Sequence, residues 1–271
     1  PEAKPITANG ASPELRDAVE SPLPLTDLAM VTTAVVFKGP APKGSVVVST
    51  LISGQSLPLA EKGGAQTNDL EMLVIASDDN GKSFPTDRAT VSLNMRPETA
   101  ARVKATGFRF IQSLDLAPGR YQLRIAAREG NTKKAGSVTF DVEVPDFAKE
   151  KLSMSGLALT SPLSSTAPTV RPKDPLEKLL PGPLSAYREF PQSDEIAFFA
   201  EVYDNTGKQP HKVDITTTVK AEGGQTVFEA KEQRDSSELS GSSGSYGVTA
   251  RIPIATIAPG LYGLKVEATV N

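Results

Sequence analysis

No cysteine and no tryptophan occur among the 271 residues, and histidine occurs once. Without cysteine there is neither a disulfide framework nor a thiolate metal site, and sulfur says nothing of the redox compartment. With His211 the sole histidine, a Ser-His-Asp relay has a single candidate base and no independent support. Aromatic residues make up 6% of the chain, and Phe198, Phe199, Tyr203 and Phe228 mix core and surface phases rather than forming the exposed row that a carbohydrate platform requires. No apolar run approaches the roughly 20 residues that cross a bilayer, so membrane insertion is not expected. The formal net charge is only -3, with both signs interspersed, which gives no basic footprint for nucleic acid. The opening PEAKPITANG lacks the basic and apolar regions of a signal peptide. A cytosolic chain, or a processed or excised piece of an exported one, fits that start.

Turn formers are plentiful, with 21 Gly and 22 Pro, and such punctuation favours short strands over long helices. The length predicts two domains of about 100 to 150 residues each. LAPGRYQLRIAA (116 to 127) returns as IAPGLYGLKVEA (257 to 268). In each copy a Pro-Gly turn, Pro118-Gly119 or Pro259-Gly260, leads into period-two alternation, with Gly expected to tolerate a positive φ. Tyr121, Leu123, Ile125 and Ala127 take one face against Arg120, Gln122 and Arg124. Tyr262, Leu264, Val266 and Ala268 do so against Lys265, Glu267 and Thr269. A strand with one core face and one wet face follows. Leu-x-Pro-Gly-x-Tyr-x-Leu resembles the tyrosine corner of immunoglobulin-like and fibronectin type III sandwiches, in which the Tyr hydroxyl bonds upstream backbone. Tyr121 and Tyr262 are the expected corners. Lacking Cys and Trp, the chain fits the looser, fibronectin-like type.

Upstream, LEMLVIASDDNGK (70 to 82) matches IAFFAEVYDNTGK (196 to 208), each read as a strand closed by a polar hairpin turn. The interval from Gly207 to Gly260 exceeds that from Gly81 to Gly119, and the surplus is expected in the Ser/Gly-rich loop DSSELSGSSGSYG (235 to 247). Further strands are expected at 29 to 37, 45 to 53, 89 to 95, 108 to 116 and 136 to 144, then at 152 to 160, 184 to 190, 212 to 220, 226 to 233 and 246 to 254. Short helices are expected from Ser12 to Glu20, Arg96 to Lys104 and Asp174 to Pro181, decorating the sheets rather than building the core. The predicted fold is therefore all-β: two tandem immunoglobulin/fibronectin-III-like β-sandwich domains with minor short helices. Residues 1–21 form a lead segment, 22–147 the first sandwich, 148–151 a linker and 152–271 the second sandwich.

An ordered set of segments also resembles the VWFA-related proteins of acidobacterial type. The set comprises ASPELRDAVESPLPLTDLAMVTTAVVF (11 to 37), LDLAPGRYQLRIAARE (114 to 129), VPDFAKEKLSMSGLALTSP (144 to 162), REFPQSDEIAFFAEVYDN (188 to 205) and IAPGLYGLKVEATV (257 to 270). In that family a von Willebrand factor A domain precedes paired β-sandwich modules. The resemblance implies an extracellular, cell-surface or periplasmic location. It implies no activity, because the Asp-x-Ser-x-Ser metal motif of the A domain is absent from this chain.

Chemical constellations are thin. His211 follows Gln209-Pro210 and reads as a solvated loop residue. Asp78-Asp79-Asn80 and Asp204-Asn205 lack the alternate acids and distal Glu of a calcium loop and read as Asx turns. Asp194 and Glu195 alternate in direction and do not flank one bond. Gly63-Gly64 and Gly223-Gly224 lack the Lys-Ser/Thr of a phosphate loop. Neither catalytic nor metal residues are assigned, and no cofactor is expected. One asymmetry stands out. AGSVTFDVEV (135 to 144) follows the first corner strand, whereas the chain stops at Asn271 after the second. The second sandwich thus lacks its closing strand, leaving an open edge beside an apolar groove. Either a longer polypeptide continues there or a segment of another chain completes the sheet. The expected function is a non-catalytic structural or interaction module with a protein partner. A glycan-binding accessory module, an assembly subunit completed by strand addition and a hydrolase with facing carboxylates in an interdomain cleft are the alternatives.

Overall fold

The computed structural model describes residues 10–170, 174–207, 209–239 and 244–271, with positions 85–87 described by backbone alone. Residues 1–9 of the lead, position 208 of the expected second hairpin turn and 240–243 of the expected Ser/Gly-rich loop lie outside the described residues.

The chain is all-β, with sheets packed face to face. Its first half contains β1 (Met30–Lys38), β2 (Gly44–Ile52), β3 (Ala60–Lys62), β4 (Ala65–Asp78), β5 (Ser83–Met95), β6 (Phe108–Leu116), β7 (Gly119–Glu129) and β8 (Ala135–Val144). The remainder contains β9 (Leu152–Met154), β10 (Ala158–Thr160), β11 (Thr169–Val170), β12 (Glu195–Asp204), β13 (Lys212–Ala221), β14 (Thr226–Asp235), β15 (Ser245–Pro253) and β16 (Tyr262–Val270). Two helices, α1 (Pro13–Glu20) and α2 (Pro97–Thr106), each start with Pro in the first turn, where its missing N–H costs nothing.

In the first sandwich a sheet ordered β1-β2-β6-β11 faces one ordered β3-β4-β7-β8, with β5 on the other side of β4. In the second, β10-β12-β15, with β9 also on β12, faces β14-β13-β16. The connectivity repeats: β12 stands where β2 stands, β13 where β4 does, β14 for β5, β15 for β6 and β16 for β7. The match of 70–82 with 196–208 therefore joins β4 to β12, strands of opposite sheets. Two buried strands ending in an Asx turn look alike whichever sheet they serve. A single 3-10 turn, Ser236–Glu238, follows β14 where α2 follows β5.

Burial on both faces explains the continuous apolar runs. On β4, Leu70, Met72, Val74 and Ala76 face the first core, while Leu73 and Ile75 face Leu15, Ala18 and Val19 of α1. On β1 and β2, Val36, Val46 and Val48 face inward. Val35, Phe37 and Val47 meet Ala158, Leu176, Leu180, Leu184 and Phe199 from the second half. Ala100 and Val103 of α2 join the first core. Neither helix is mere decoration.

That outer contact alters the expected boundaries. β11 adds to β6 in parallel, so residues 169–170 extend a sheet of the first sandwich. Arg109 of β6 is buried and donates through Nη1 to the Ala167 carbonyl at 3.4 Å and to Thr169 Oγ1 at 3.2 Å, and through Nη2 to the Ser164 carbonyl. Burial lowers its pKa. Tyr203 of β12 accepts from the Lys38 N–H at 2.8 Å and packs edge-on against Phe147. The expected strand at 152–160 breaks into β9 and β10 where the Gly156 N–H turns to the Val36 carbonyl of β1 at 2.8 Å. Residues 184–190 form no strand. The Leu184 carbonyl accepts from Ser49 Oγ, and the Ser185 and Tyr187 amides bond Leu159 O and Ser185 Oγ, so no ladder forms. Residues 174–181 make turns rather than a regular helix, with prolines at 175, 181 and 183 limiting its length. No helix of the described residues is long and apolar enough to cross a membrane.

The side chain of Leu15 is fully buried against β4 and β7. Leu15→Ala is expected to cost about 2–5 kcal/mol in urea unfolding, whereas a detachable N-terminal helix predicts less than about 0.5 kcal/mol.

Candidate functional site

The two Pro-Gly-x-Tyr elements adopt the same local geometry. Tyr121 Oη donates to the Ala117 carbonyl at 3.0 Å, and Tyr262 Oη to the Ala258 carbonyl at 2.6 Å, each four residues upstream. Each ring lies over its own turn glycine, Gly119 or Gly260. The bond ties the turn after Pro118 or Pro259 to the first residues of the strand it feeds, as a tyrosine corner does. Gly119 has a positive φ of 155°, a conformation that side chains with a Cβ rarely adopt, whereas Gly260 does not have a positive φ. The positive-φ glycine expected of both turns is therefore used in the first only. The Tyr121 hydroxyl is pushed above its ordinary pKa by burial and then by Asp78.

Beyond the corner the copies diverge. Tyr121 is 6% exposed and Leu123, Ile125 and Ala127 are 0% exposed. On β16, Val266 is 6% exposed, but Tyr262, Leu264 and Ala268 are half-buried, Val270 is 39% exposed and Leu261 76%. The difference follows from pairing: β7 lies between β4 and β8, while β16 pairs only with β13 among the described residues. The second row of apolar side chains is sheltered from one side only.

A second cluster surrounds His211, whose side chain is only 11% exposed, and Asp204, at 1%. The solvated-loop reading is thereby corrected. His211 Nε2 lies 2.6 Å from Asp204 Oδ2 and 2.7 Å from Thr206 Oγ1, and Nδ1 lies 2.7 Å from the Gln209 carbonyl. A nucleophile relay needs acid and hydroxyl on different ring nitrogens; here both are on Nε2. Only an imidazolium satisfies the carbonyl at one nitrogen and the carboxylate at the other. Its pKa is raised above the ordinary 6.5, chiefly by the Gln209 carbonyl and then by Asp204. Burial pushes the Asp204 carboxyl up, but bonds from Thr206 and His211 outweigh it and hold the group below its ordinary 3.8. Tyr246 Oη, 3.3 Å from Asp204 Oδ2, is pushed up to about 12 by burial and that carboxylate. β12 and β13 lie in opposite sheets, so their connection is a crossover rather than the expected hairpin turn; the signal missed in the sequence was its return over β12, which places position 211 beside position 204.

The other acids serve local turns and pairs. Asp78 Oδ1 accepts from the Asn80 and Lys82 amides, an Asx arrangement. Asp194 accepts from the Leu163 and Glu195 amides, while Glu195 pairs with Arg251 at 2.8 Å. Among the described residues no group of three or more His, Asp or Glu side chains is placed to hold a metal. An open groove of about 980 Å³ lies beside the first corner, lined by Asp78, Asp79, Asp141 and Glu143 with Arg120 and Arg124. Arg120 faces Glu143 at 3.6 Å, and Arg124 donates to the Val19 carbonyl at 2.7 Å.

The fold and these sites define a β-sandwich protein with two corner tyrosines and, among the described residues, a strand β16 bonded along one side. No protein-family model matches the chain, and no curated protein does. A solved structure titled pT26-6p is similar at 9% identity and a TM-score of 0.23, over 88% of this chain; the chain spans 61% of the length of that one.

Removing the hydroxyl in Tyr121→Phe is expected to cost about 0.5–1.5 kcal/mol, and more than Tyr262→Phe, whose ring is already half in water; equal losses contradict the difference in shelter. The His211 contribution to stability is whole below pH 6.5 and falls as pH rises through its raised folded-state value. That of Asp204 is whole above 3.8 and is lost as pH falls through its lowered value. A proton-NMR titration of the single imidazole should give a midpoint above 6.5 that drops in Asp204→Asn; a wild-type midpoint at or below 6.5 contradicts the imidazolium.

Proposed function

We propose that this chain is a non-catalytic interaction module built from two immunoglobulin/fibronectin-III-like sandwiches, and that it belongs to an exported protein related to the VWFA type. The observation that carries the interaction reading is the half-sheltered apolar row of β16 beside a backbone edge with no described partner. Such an edge recruits a strand, main-chain bonds supplying affinity and alternate side chains specificity. The absence of catalysis in this reading rests on the bonding of the titratable groups. His211, Asp204, Asp78 and Asp194 each direct their polar atoms into turns or neighbouring strands. A protein partner is favoured over a glycan: among the described aromatic residues, only Tyr187 stands with the large exposed apolar side chains. The exported location and the relation to the VWFA type rest on the ordered sequence resemblance.

The first sandwich supplies a probe. A peptide with the sequence of β8, AGSVTFDVEV, covers the edge of β7 in this fold. Added to the dilute chain, it is expected to bind and to slow hydrogen exchange of the Leu264, Val266 and Ala268 amides without affecting those of Lys265 and Glu267, which already face β13. No binding and no change in exchange would refute the strand-accepting reading.

A further inference from the structure

The interaction reading above leaves open what occupies the β16 edge, and the following rests on it. We infer that the occupant is a second copy of the same strand, paired antiparallel about Val266 so that two sandwiches share one six-stranded sheet.

Backbone parity comes first. The Asn271 N–H donates to the Lys212 carbonyl at 2.9 Å, in line with the β13–β16 register. Hydrogen-bonded pairs in an antiparallel ladder recur every second residue. Lys265, Glu267 and Thr269 therefore turn their backbone groups to β13. Tyr262, Leu264, Val266, Ala268 and Val270 turn theirs to the free side. A two-fold axis at Val266 sets Val266 against its own copy, Leu264 against Ala268 and Tyr262 against Val270. Every facing pair on that side then consists of residues whose N–H and C=O are directed at the partner, and the whole length of β16 overlaps.

Side chains choose among the symmetric registers. Centred on Val266, Lys265 of each copy stands opposite Glu267 of the other on the wet face. These two side chains lie 64% and 53% exposed, already within 2.7 Å of each other in one chain. Centred on position 265 or 267, two lysines or two glutamates meet, and like charges directly opposite destabilise a pair. Centres farther out shorten the overlap and leave the charges without opposite partners. On the core face the half-buried Tyr262, Leu264 and Ala268 and the exposed Val270 gain apolar neighbours across the axis.

The contrasting edge of the same sheet argues in the same direction. β14 carries Glu229, Lys231, Glu232, Arg234 and Asp235, and its register with β13 is broken near Val219. Charge and irregularity of this kind blunt an edge. β16 has a regular register, no proline, and two charges that attract across a two-fold axis rather than repel.

Charge reversal tests the pairing. Sedimentation equilibrium of the 271-residue chain is expected to show a monomer–dimer equilibrium. Lys265→Glu and Glu267→Lys, each of which sets like charges opposite twice, should raise the dissociation constant at least about tenfold. Mixing the two variants restores association, because in a heterodimer both acids that one variant carries at positions 265 and 267 face lysines of the other. Circular dichroism of each variant alone verifies folding, and the mixture shows that any lost association is not lost structure. A wild-type chain that stays monomeric at its solubility limit, or variants that self-associate as well as the wild type and gain nothing on mixing, would overturn the inference. If the chain is monomeric yet binds the AGSVTFDVEV peptide, self-pairing fails while the strand-accepting reading stands. Failure of both removes the reading itself.

Discussion

A strand bonded along only one side keeps half of its backbone donors and acceptors for water or for another chain, and β16 is such a strand among the described residues. Its counterpart β7 shows what a second neighbour brings. Between β4 and β8 the equivalent apolar side chains are sealed, and the corner tyrosine is sheltered with them. The two halves share a connectivity and a corner bond, yet their corner strands differ in shelter because β7 has a neighbour on each side and β16, among the described residues, on one. The proposed role as an interaction module is drawn from that difference.

The rest of the molecule is organised to hold the sandwiches together. Both faces of β1 and β2 are buried, one by the first core and the other by Leu176, Leu180, Leu184 and Phe199 from beyond the expected linker. Apolar contact of that kind has no direction, and the polar bonds set its register: Arg109 to the carbonyls of Ser164 and Ala167, Tyr203 to the Lys38 amide, Gly156 to Val36. A buried guanidinium that satisfies carbonyls of an irregular segment fixes a path no hydrophobic pattern specifies. The segment between β10 and β12 therefore serves as a clamp on the first sandwich, although in sequence it belongs to the second.

Much of the fold was legible because strand signals are local. Alternation after Pro-Gly located β7 and β16. The runs at 29 to 37, 45 to 53 and 108 to 116 became β1, β2 and β6 with boundaries shifted by about a residue. Three of the readings that failed needed knowledge of a partner. LEMLVIASDDNGK and IAFFAEVYDNTGK look alike because β4 and β12 are both buried strands running into Asx turns, but they lie in opposite sheets. His211 looked solvated because a turn residue after proline normally is; here the turn folds back on Asp204 and Thr206. Residues 184 to 190 alternate like a strand, yet their backbone bonds go to Leu159 and to a serine hydroxyl.

What the sequence determined by itself is the all-β class, the positions of most strands and the paired corner turns, since each depends on backbone preference and spacing within about ten residues. Only the tertiary structure decided which strands lie side by side, which apolar faces are covered twice, and that position 211 is bonded to Asp204 and the Gln209 carbonyl. Those outcomes depend on groups distant in sequence, and the free energy of burial or pairing exists only once both partners are in place.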